Sequence, residues 1–168
     1  MQLVEKTMEV LKKMKNVKQK RKLLKQLQLI LDEHGNLKAD QRIDFQTILA
    51  AEKLFPGRSY GDVETGCINT KELHRIRKKL EKEFAKLERE RRKEELFFDL
   101  YQVLDSKGKP KNCTRKLTQK VITEAEALFT GRDFGDADSG FMNVEELFKL
   151  YKKLKSWFVK KESKKIKK

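Results

Sequence analysis

The chain contains one stretch of sequence twice, and this internal repeat constrains the fold more than any other feature. Residues 50–73 (AAEKLFPGRSYGDVETGCINTKEL) match residues 124–147 (EAEALFTGRDFGDADSGFMNVEEL) at an offset of 74 positions. The matching residues of the first copy are Ala51, Glu52, Leu54, Phe55, Gly57, Arg58, Gly61, Asp62, Gly66, Asn69, Glu72 and Leu73. Upstream, residues 23–36 match residues 96–109 with the register slipped by one. Self-similarity at a fixed offset indicates a repeated folding unit.

Apolar residues recur at helical spacing in three segments of each copy. The first segment ends at helix breakers, at 34–36 in one copy and at 106–110 in the other. The second spans about 40–55 or about 114–129, and the third follows the shared turn. Apolar spacings of three and four residues predict amphipathic helices. The sequence therefore predicts an all-α fold with two tandem copies of a roughly 74-residue three-helix unit.

The segment between the two turns contains no helix breaker. No Gly or Pro occurs from Thr70 to Leu104, which is consistent with one long central helix that joins the copies. Its polar stretch 88–95 would then bridge solvent. We expect a basic amphipathic N-terminal helix at 1–18, the two repeats at 19–90 and 91–159, and a disordered basic tail at 160–168.

The acidic turn of the second copy, GRDFGDADSGFMNVEE, resembles in part the calcium loop of an EF-hand. With Gly140 at loop position 6, Met142 takes position 8 and Glu146 takes position 12, as that loop requires. Gly135 and Ala137 then take positions 1 and 3, where the loop needs side-chain oxygen ligands. We therefore predict no metal site and keep calcium response as a minor alternative.

The first copy departs from the calcium loop in the same way, because Val63 takes position 3. A structural corner explains both turns better. Asn69 and Asn143 each precede a Glu by three residues, the pattern of a capping box at a helix N-terminus. Tyr60 and Phe134 stand at equal positions and are predicted to fill the corner as apolar plugs.

An arginine follows the helix that leads into each corner. We predict that Arg58 pairs with Asp62, and Arg132 with Asp136, through charge-assisted hydrogen bonds. An alternative is that these arginines hold a phosphate near a helix N-terminus. In that case the aspartates would compete with the anion, so the internal clamp is the preferred interpretation.

The sequence offers little catalytic chemistry. Its two histidines, His34 and His74, and its two cysteines, Cys67 and Cys113, lack the paired spacing of zinc ligands. No phosphate loop, nucleophile elbow or dinucleotide fingerprint occurs. We expect a protein that is not an enzyme and needs no cofactor. Because two cysteines make no disulfide framework, we expect an intracellular location, either cytoplasmic or nuclear or nucleoid.

The charge of the chain carries the functional prediction. The formal net charge of +15 creates a field that attracts polyanions. No apolar run approaches the roughly 20 residues of a membrane span. Basic residues form a run at 12–25 and a stripe after each turn, opposite the apolar stripe. The residues expected to contact phosphates are Lys12, Lys13, Lys15, Lys18, Lys20, Arg21, Lys22, Arg75, Lys78, Lys79, Lys82, Lys86, Lys149, Lys152, Lys153 and Lys160.

These features predict a nucleic-acid-binding protein that contacts the phosphates of RNA or DNA. Aromatic residues free to stack on bases are expected to be scarce, since Tyr151 and Trp157 lie on or near the apolar face. Backbone and shape recognition of a duplex or structured nucleic acid is therefore favoured. We expect an accessory or regulatory factor in a ribonucleoprotein, viral or mobile-element system. The alternative is an adaptor or inhibitor that docks on an acidic protein or inside a larger complex. The sequence does not indicate an oligomeric state.

Overall fold

The computed structural model describes residues 2–39, 44–62 and 64–166. These residues are mostly helical, as the sequence predicts, and they also form four very short strands. The elements are α1 (Gln2–Ile30), α2 (Phe45–Leu54), β1 (Gly61–Asp62), β2 (Cys67–Ile68), α3 (Thr70–Val103), α4 (Arg115–Leu128), β3 (Gly135–Asp136), β4 (Phe141–Met142) and α5 (Val144–Ile166). The chain divides into two compact units, Met1–Ala85 and Lys86–Lys168.

Unit 1 (Met1–Ala85) is built around the C-terminal part of α1, the whole of α2 and the first part of α3. Asp44 is the N-cap residue of α2, and its side chain accepts a hydrogen bond from the N–H of Gln46. Leucine and isoleucine side chains from the three helices then close over the buried Tyr60. The buried apolar residues of this unit are Leu23, Leu24, Leu27, Ile30, Leu31, Ile48, Ala51, Tyr60, Leu73, Ile76 and Leu80.

Unit 2 (Lys86–Lys168) is built from the second part of α3 with α4 and α5. Thr114 is the N-cap residue of α4, and its side chain accepts a hydrogen bond from the N–H of Leu117. Phe134 is fully buried at the centre of this core, as Tyr60 is in unit 1, which confirms the predicted plugs. The buried residues are Leu96, Leu100, Val103, Leu104, Val121, Ile122, Ala125, Leu128, Phe134, Leu147, Leu150 and Leu154.

A single carboxylate organises the loop that follows the first helical segment of each unit. Asp32 Oδ1 accepts hydrogen bonds from the N–H groups of His34 (2.9 Å) and Asn36 (2.8 Å). Asp105 Oδ1 accepts the two equivalent bonds, from residues two and four positions later, both at 2.8 Å. These hydrogen bonds favour the charged form and lower the pKa of both aspartates.

Each acidic turn forms a small hairpin that the sequence did not predict. β1 pairs antiparallel with β2, and β3 pairs antiparallel with β4. Gly61 and Gly135 adopt φ values of 150° and 124°, which favour glycine. A Cβ at either position would lie within 2.7 Å of a carbonyl oxygen of the opposite strand. Two-residue strands show no alternation of apolar and polar residues, so hydropathy does not reveal them.

The helix limits agree with several predictions and correct others. α3 runs without interruption from Thr70 to Val103, as the absence of Gly and Pro suggested. α1 is also continuous from Gln2 to Ile30, so the described residues of the predicted N-terminal helix, 2–18, are not a separate helix. The predicted start of the second helix, at residues 40–43, lies outside the described residues, and the described helix begins at Phe45.

Two polar segments were expected to be solvated or disordered, and the structure gives them partners instead. The stretch 88–95 makes ion pairs inside unit 2, including Arg92 with Glu124 at 2.8 Å. α5 continues through Ile166, so residues 160–166 are helical rather than a disordered tail. Lys161 lies 2.6 Å from Glu94, which ties this end of α5 to α3. Residues 167 and 168 lie outside the described part of the chain.

Candidate nucleic-acid interface

The helix after each hairpin begins at an asparagine cap. Asn69 Oδ1 accepts a hydrogen bond from the N–H of Glu72 (3.2 Å), and Asn143 Oδ1 accepts one from the N–H of Glu146 (3.3 Å). Only this half of the predicted capping box forms. The Asn69 N–H donates to the carbonyl of Tyr60 at 3.1 Å. The Glu72 carboxylate therefore does not accept a hydrogen bond from this N–H and is free to pair with another side chain.

In each corner, the glutamate three residues after the capping asparagine forms an ion pair with the arginine of the corner. Arg58 Nη1 lies 2.8 Å from Glu72 Oε2, and Arg132 Nη1 lies 3.5 Å from Glu146 Oε2. The prediction that the arginines pair with Asp62 and Asp136 is therefore wrong. The hairpin folds each aspartate into its own turn and carries the following helix back toward the arginine. The hydrogen bond from Arg58 also lowers the pKa of Glu72.

The aspartates cap their hairpins. Asp62 Oδ1 accepts the N–H of Glu64, and Asp136 Oδ1 accepts the N–H of Asp138, both at 2.9 Å. No cluster of three or more His, Cys, Asp or Glu side chains able to hold a metal ion occurs within residues 2–39, 44–62 and 64–166. Val63, at the third position of the calcium-loop alignment, lies outside these residues.

A lysine-bracketed phenylalanine is the feature that both units share beside the corner. In unit 1, Phe55 ends α2, and its N–H donates to the Ala51 carbonyl at 2.8 Å. The ammonium groups of Lys20 and Lys79 lie 5.9 Å and 5.2 Å from the centroid of the Phe55 ring. These distances are within the range of cation–π attraction.

The cleft beside Phe55 is basic and open to solvent. It encloses about 370 Å³. Lys20 is engaged by Glu83 at 2.8 Å, whereas Lys79 is exposed and makes no salt bridge within the described residues. The lining residues are Leu54, Phe55, Pro56, Arg58, Tyr60, Glu72, Arg75, Ile76 and Lys79. Lys79 is therefore the cation that unit 1 presents most directly to an anion at this cleft.

Unit 2 repeats the arrangement around Phe129. Lys93 and Lys153 lie 5.8 Å and 5.5 Å from the centroid of this ring. Here Glu83 has no counterpart, because its position is taken by Trp157. The Lys93 ammonium lies 5.6 Å from the Trp157 ring, so a second aromatic surface replaces the carboxylate. The ion pair between Lys20 and Glu83 in unit 1 therefore has no equivalent at Lys93 among the described residues.

The pKa of Lys93 is lowered, chiefly by burial of its ammonium group. The nearby cations Arg89 and Lys153 lower the pKa further, whereas Glu90 raises it. A bound anion would act in the opposite direction, because an opposite charge favours the charged form of a lysine. An anion bound beside Phe129 would therefore raise the pKa of Lys93.

The remaining predicted residues fall into three groups. The cations on the exposed N-terminal part of α1 are Lys12, Lys13, Lys15 and Lys18, of which Lys13 pairs with Glu9 at 2.7 Å. Exposed side chains along the helices include Lys22, Lys78, Lys82, Lys86 and Lys160. Those that contact other side chains are Arg21 over Phe84, Arg75 with Glu72, Lys149 with Glu145 and Glu146, and Lys152 over Phe148.

Lys93 is the site residue that the sequence analysis missed. It stands 73 positions after Lys20, which was among the predicted residues. Applying the offset of 73 positions to Lys20 would therefore have identified Lys93 from the sequence. It was overlooked because Lys93 lies within a stretch of alternating charges that reads as an ordinary solvated surface.

Comparison with known proteins does not indicate a function for these sites. The chain matches no protein family, no curated protein and no solved structure. Among the described residues, no helix is both long enough and apolar enough to cross a membrane.

Proposed function

We propose that this chain is a nucleic-acid-binding protein without enzymatic activity, and that it holds phosphates of RNA or DNA at the two lysine-bracketed phenylalanines. The observation that carries the proposal is the placement of Lys79 and Lys153 at matching positions over Phe55 and Phe129. A ring on one side desolvates part of the ammonium group and fixes its position. The other side stays open for a phosphate oxygen.

The surrounding charge supports a polyanion rather than a single small anion. The chain has a formal net charge of +15, and exposed lysines extend along α3 and α5 from the two sites. One exposed ion pair contributes only about 0–1 kcal/mol, so useful affinity requires many contacts made together. A nucleic-acid backbone supplies phosphates at regular spacing.

We also propose that the two units are tandem copies of one three-helix unit. The same loop carboxylate, asparagine cap, buried aromatic plug and lysine-bracketed phenylalanine occur in each unit by itself. Two copies would offer two phosphate sites on one chain. Binding at both raises the effective affinity without new contacts. An accessory or regulatory role inside the cell, in a ribonucleoprotein, viral or mobile-element system, fits this proposal.

Charge reversal tests the proposal. We expect Lys79→Glu with Lys153→Glu to lower the affinity for a generic 20-base-pair duplex by about tenfold or more, equal to ~1.4 kcal/mol or more. The matched control is Lys71→Glu with Lys116→Glu, which changes the net charge equally at two exposed lysines outside the sites. We expect the control to lose less than about threefold, measured by fluorescence anisotropy at low salt. Equal losses in both variants would contradict the proposed sites.

A second candidate function is docking on an acidic protein. The exposed part of α1 favours it, because Met8, Leu11 and Met14 each expose more than half of their surface. Lys12 and Lys15 line the same groove. An apolar row edged by lysines suits an acidic amphipathic partner. Recovery of partners from a lysate with and without nuclease separates this function from nucleic-acid binding.

A further inference from the structure

The side of unit 2 formed by the last part of α3 and the middle of α5 carries a continuous array of aromatic rings. Phe97 stacks on Tyr151 at 5.5 Å between centroids with an interplanar angle of 7°, and on Phe158 at 5.4 Å and 18°. Phe148 continues the array beside Tyr151 at 6.2 Å. Phe98 meets both Phe97 and Phe158 edge-on. We call these rings, with Tyr101, the aromatic face.

Two members of the aromatic face are open to solvent. Phe98 is 53% exposed and Tyr101 is 60% exposed. They are separated by three positions on one helix, so their side chains are neighbours on its surface. Exposed aromatic rings of this size cost free energy in water, and a folded unit does not need them for its core.

Unit 1 shows that the fold does not require these rings. The positions of Phe98 and Tyr101 are occupied there by Lys25 and Gln28, at the offset of 73. Tyr151 likewise corresponds to Arg77 at the offset of 74. The helices of unit 1 pack around its own buried plug, Tyr60, without aromatic rings at these positions. Phe98 and Tyr101 therefore have no aromatic counterparts in unit 1. Unlike Phe97, Phe148 and Tyr151, which pack against the core of unit 2, these two rings are more than half exposed.

Lysines accompany the rings in unit 2. The Lys111 ammonium lies 4.5 Å from the centroid of Tyr101, and the Lys152 ammonium lies 4.3 Å from that of Phe148. In the adjoining loop, Lys107 and Lys109 are exposed. They replace the His34 and Asn36 of unit 1, while the loop carboxylate is occupied by backbone N–H groups. Cations and stacking surfaces thus gather on the same side of the unit.

We propose that the aromatic face binds single-stranded nucleic acid, with bases stacked on Phe98 and Tyr101 and phosphates held by Lys111, Lys152 and the lysines of the adjoining loop. Every base has a flat π-surface, so such a platform combined with cations takes up single strands without a sequence requirement. The inference rests on the proposed nucleic-acid function and adds a preference for single strands in unit 2. It corrects the expectation that aromatic residues free for stacking are scarce.

The test compares two probes on the full chain, a labelled oligo(dT) strand and a duplex of the same length. We expect Phe98→Leu with Tyr101→Leu to lower the affinity for oligo(dT) by about tenfold or more, since stacking on each ring is lost. Duplex affinity should stay within about twofold, because the lysine-bracketed phenylalanines are intact. Leucine preserves apolar bulk, and circular dichroism checks that the helices are retained. The control is Gln28→Ala with Leu29→Ala, which removes exposed side chains of unit 1 and should change neither affinity.

The outcomes separate the two proposals. If the leucine variant keeps its affinity for oligo(dT), stacking on Phe98 and Tyr101 is excluded, while duplex binding stands. If the leucine variant loses affinity for both probes equally, the preference for single strands is contradicted. If the wild-type chain binds neither probe, the proposed function itself fails, and this inference fails with it.

Discussion

The side-chain amide of the capping asparagine makes two hydrogen bonds in each corner. The amide of Asn143 accepts from the Glu146 N–H at 3.3 Å and donates to the Asp133 carbonyl at 3.0 Å. It therefore caps α5 and ties the helix to Asp133, which lies two residues before β3. Asn69 makes the equivalent pair of bonds, with Glu72 and Ser59. Loss of one amide removes both bonds at once.

We expect Asn143→Ala to lower the free energy of unfolding by about 1 kcal/mol, the usual cost of losing an N-cap. Urea denaturation followed by circular dichroism measures the change. Asn143→Ser retains a capping oxygen and should recover part of the loss.

Millimolar calcium should leave the melting temperature of the wild-type chain unchanged, and a rise of several degrees would contradict the structural interpretation of the turn.

The loop aspartates make stability depend on pH. The hydrogen bond from the Lys109 N–H lowers the pKa of Asp105 below its ordinary value of 3.8. A carboxyl group with a lower pKa in the folded state stabilises that state above its unfolded pKa. The contribution is lost as the pH falls through the folded pKa. We expect Asp105→Ala to destabilise the chain at pH 7 and the difference from wild type to shrink below about pH 4, measured by urea denaturation across that range. A difference that stays constant down to pH 2 would contradict this role.

At the scale of elements, each loop after the first helical segment packs directly on the helix that follows the hairpin. Gly108 has a φ of 81°, and a Cβ there would lie 2.6 Å from the Phe148 ring. Gly35 has a φ of 87° and would meet His74 at 2.5 Å in the same way. Glycine is needed at these two positions for its backbone conformation and also for its lack of a side chain.

Two glycines of unit 2 separate these effects. Gly131 has a φ of 84° like that of Gly108, but a Cβ there would have no atom within 4 Å. We expect Gly131→Ala to cost about 1–2 kcal/mol from left-handed backbone strain alone. Gly108→Ala should cost a further 1–3 kcal/mol, roughly, because Phe148 must move. Thermal unfolding of both variants gives the difference, and equal losses would show that the loop is not closely packed.

The sequence predicts elements well where spacing carries the information. Apolar spacing and breakers located the helices, and the unbroken run after Thr70 predicted α3. The partner of Arg58 was wrong because it depends on a hairpin of two-residue strands, which leaves no periodic signal. The capping box formed only in part for the same reason, since the backbone of Tyr60 already binds the cap N–H.

At the scale of the whole molecule, charge and repetition were readable from the sequence, whereas exposure was not. The offset between the two similar stretches of sequence predicts which residues of the two units correspond. It could not indicate that Phe98 and Tyr101 stay exposed, because apolar residues on a helix are usually assigned to its buried face. Lys93 and Lys161 lie in charge-rich segments, and only the folded chain shows that one meets two rings and the other two glutamates.

The salt dependence of binding tests the central claim most directly, because released counterions report how many phosphates the chain neutralises. For a generic DNA duplex we predict that log K falls with log[salt] with a slope near −4 or steeper, as expected for about five contacts. The slope should flatten by roughly 2 in the Lys79→Glu/Lys153→Glu variant, since each lost contact contributes ~0.9. Binding that does not respond to salt, or a slope that is the same in the variant, would contradict phosphate recognition at the two lysine-bracketed phenylalanines.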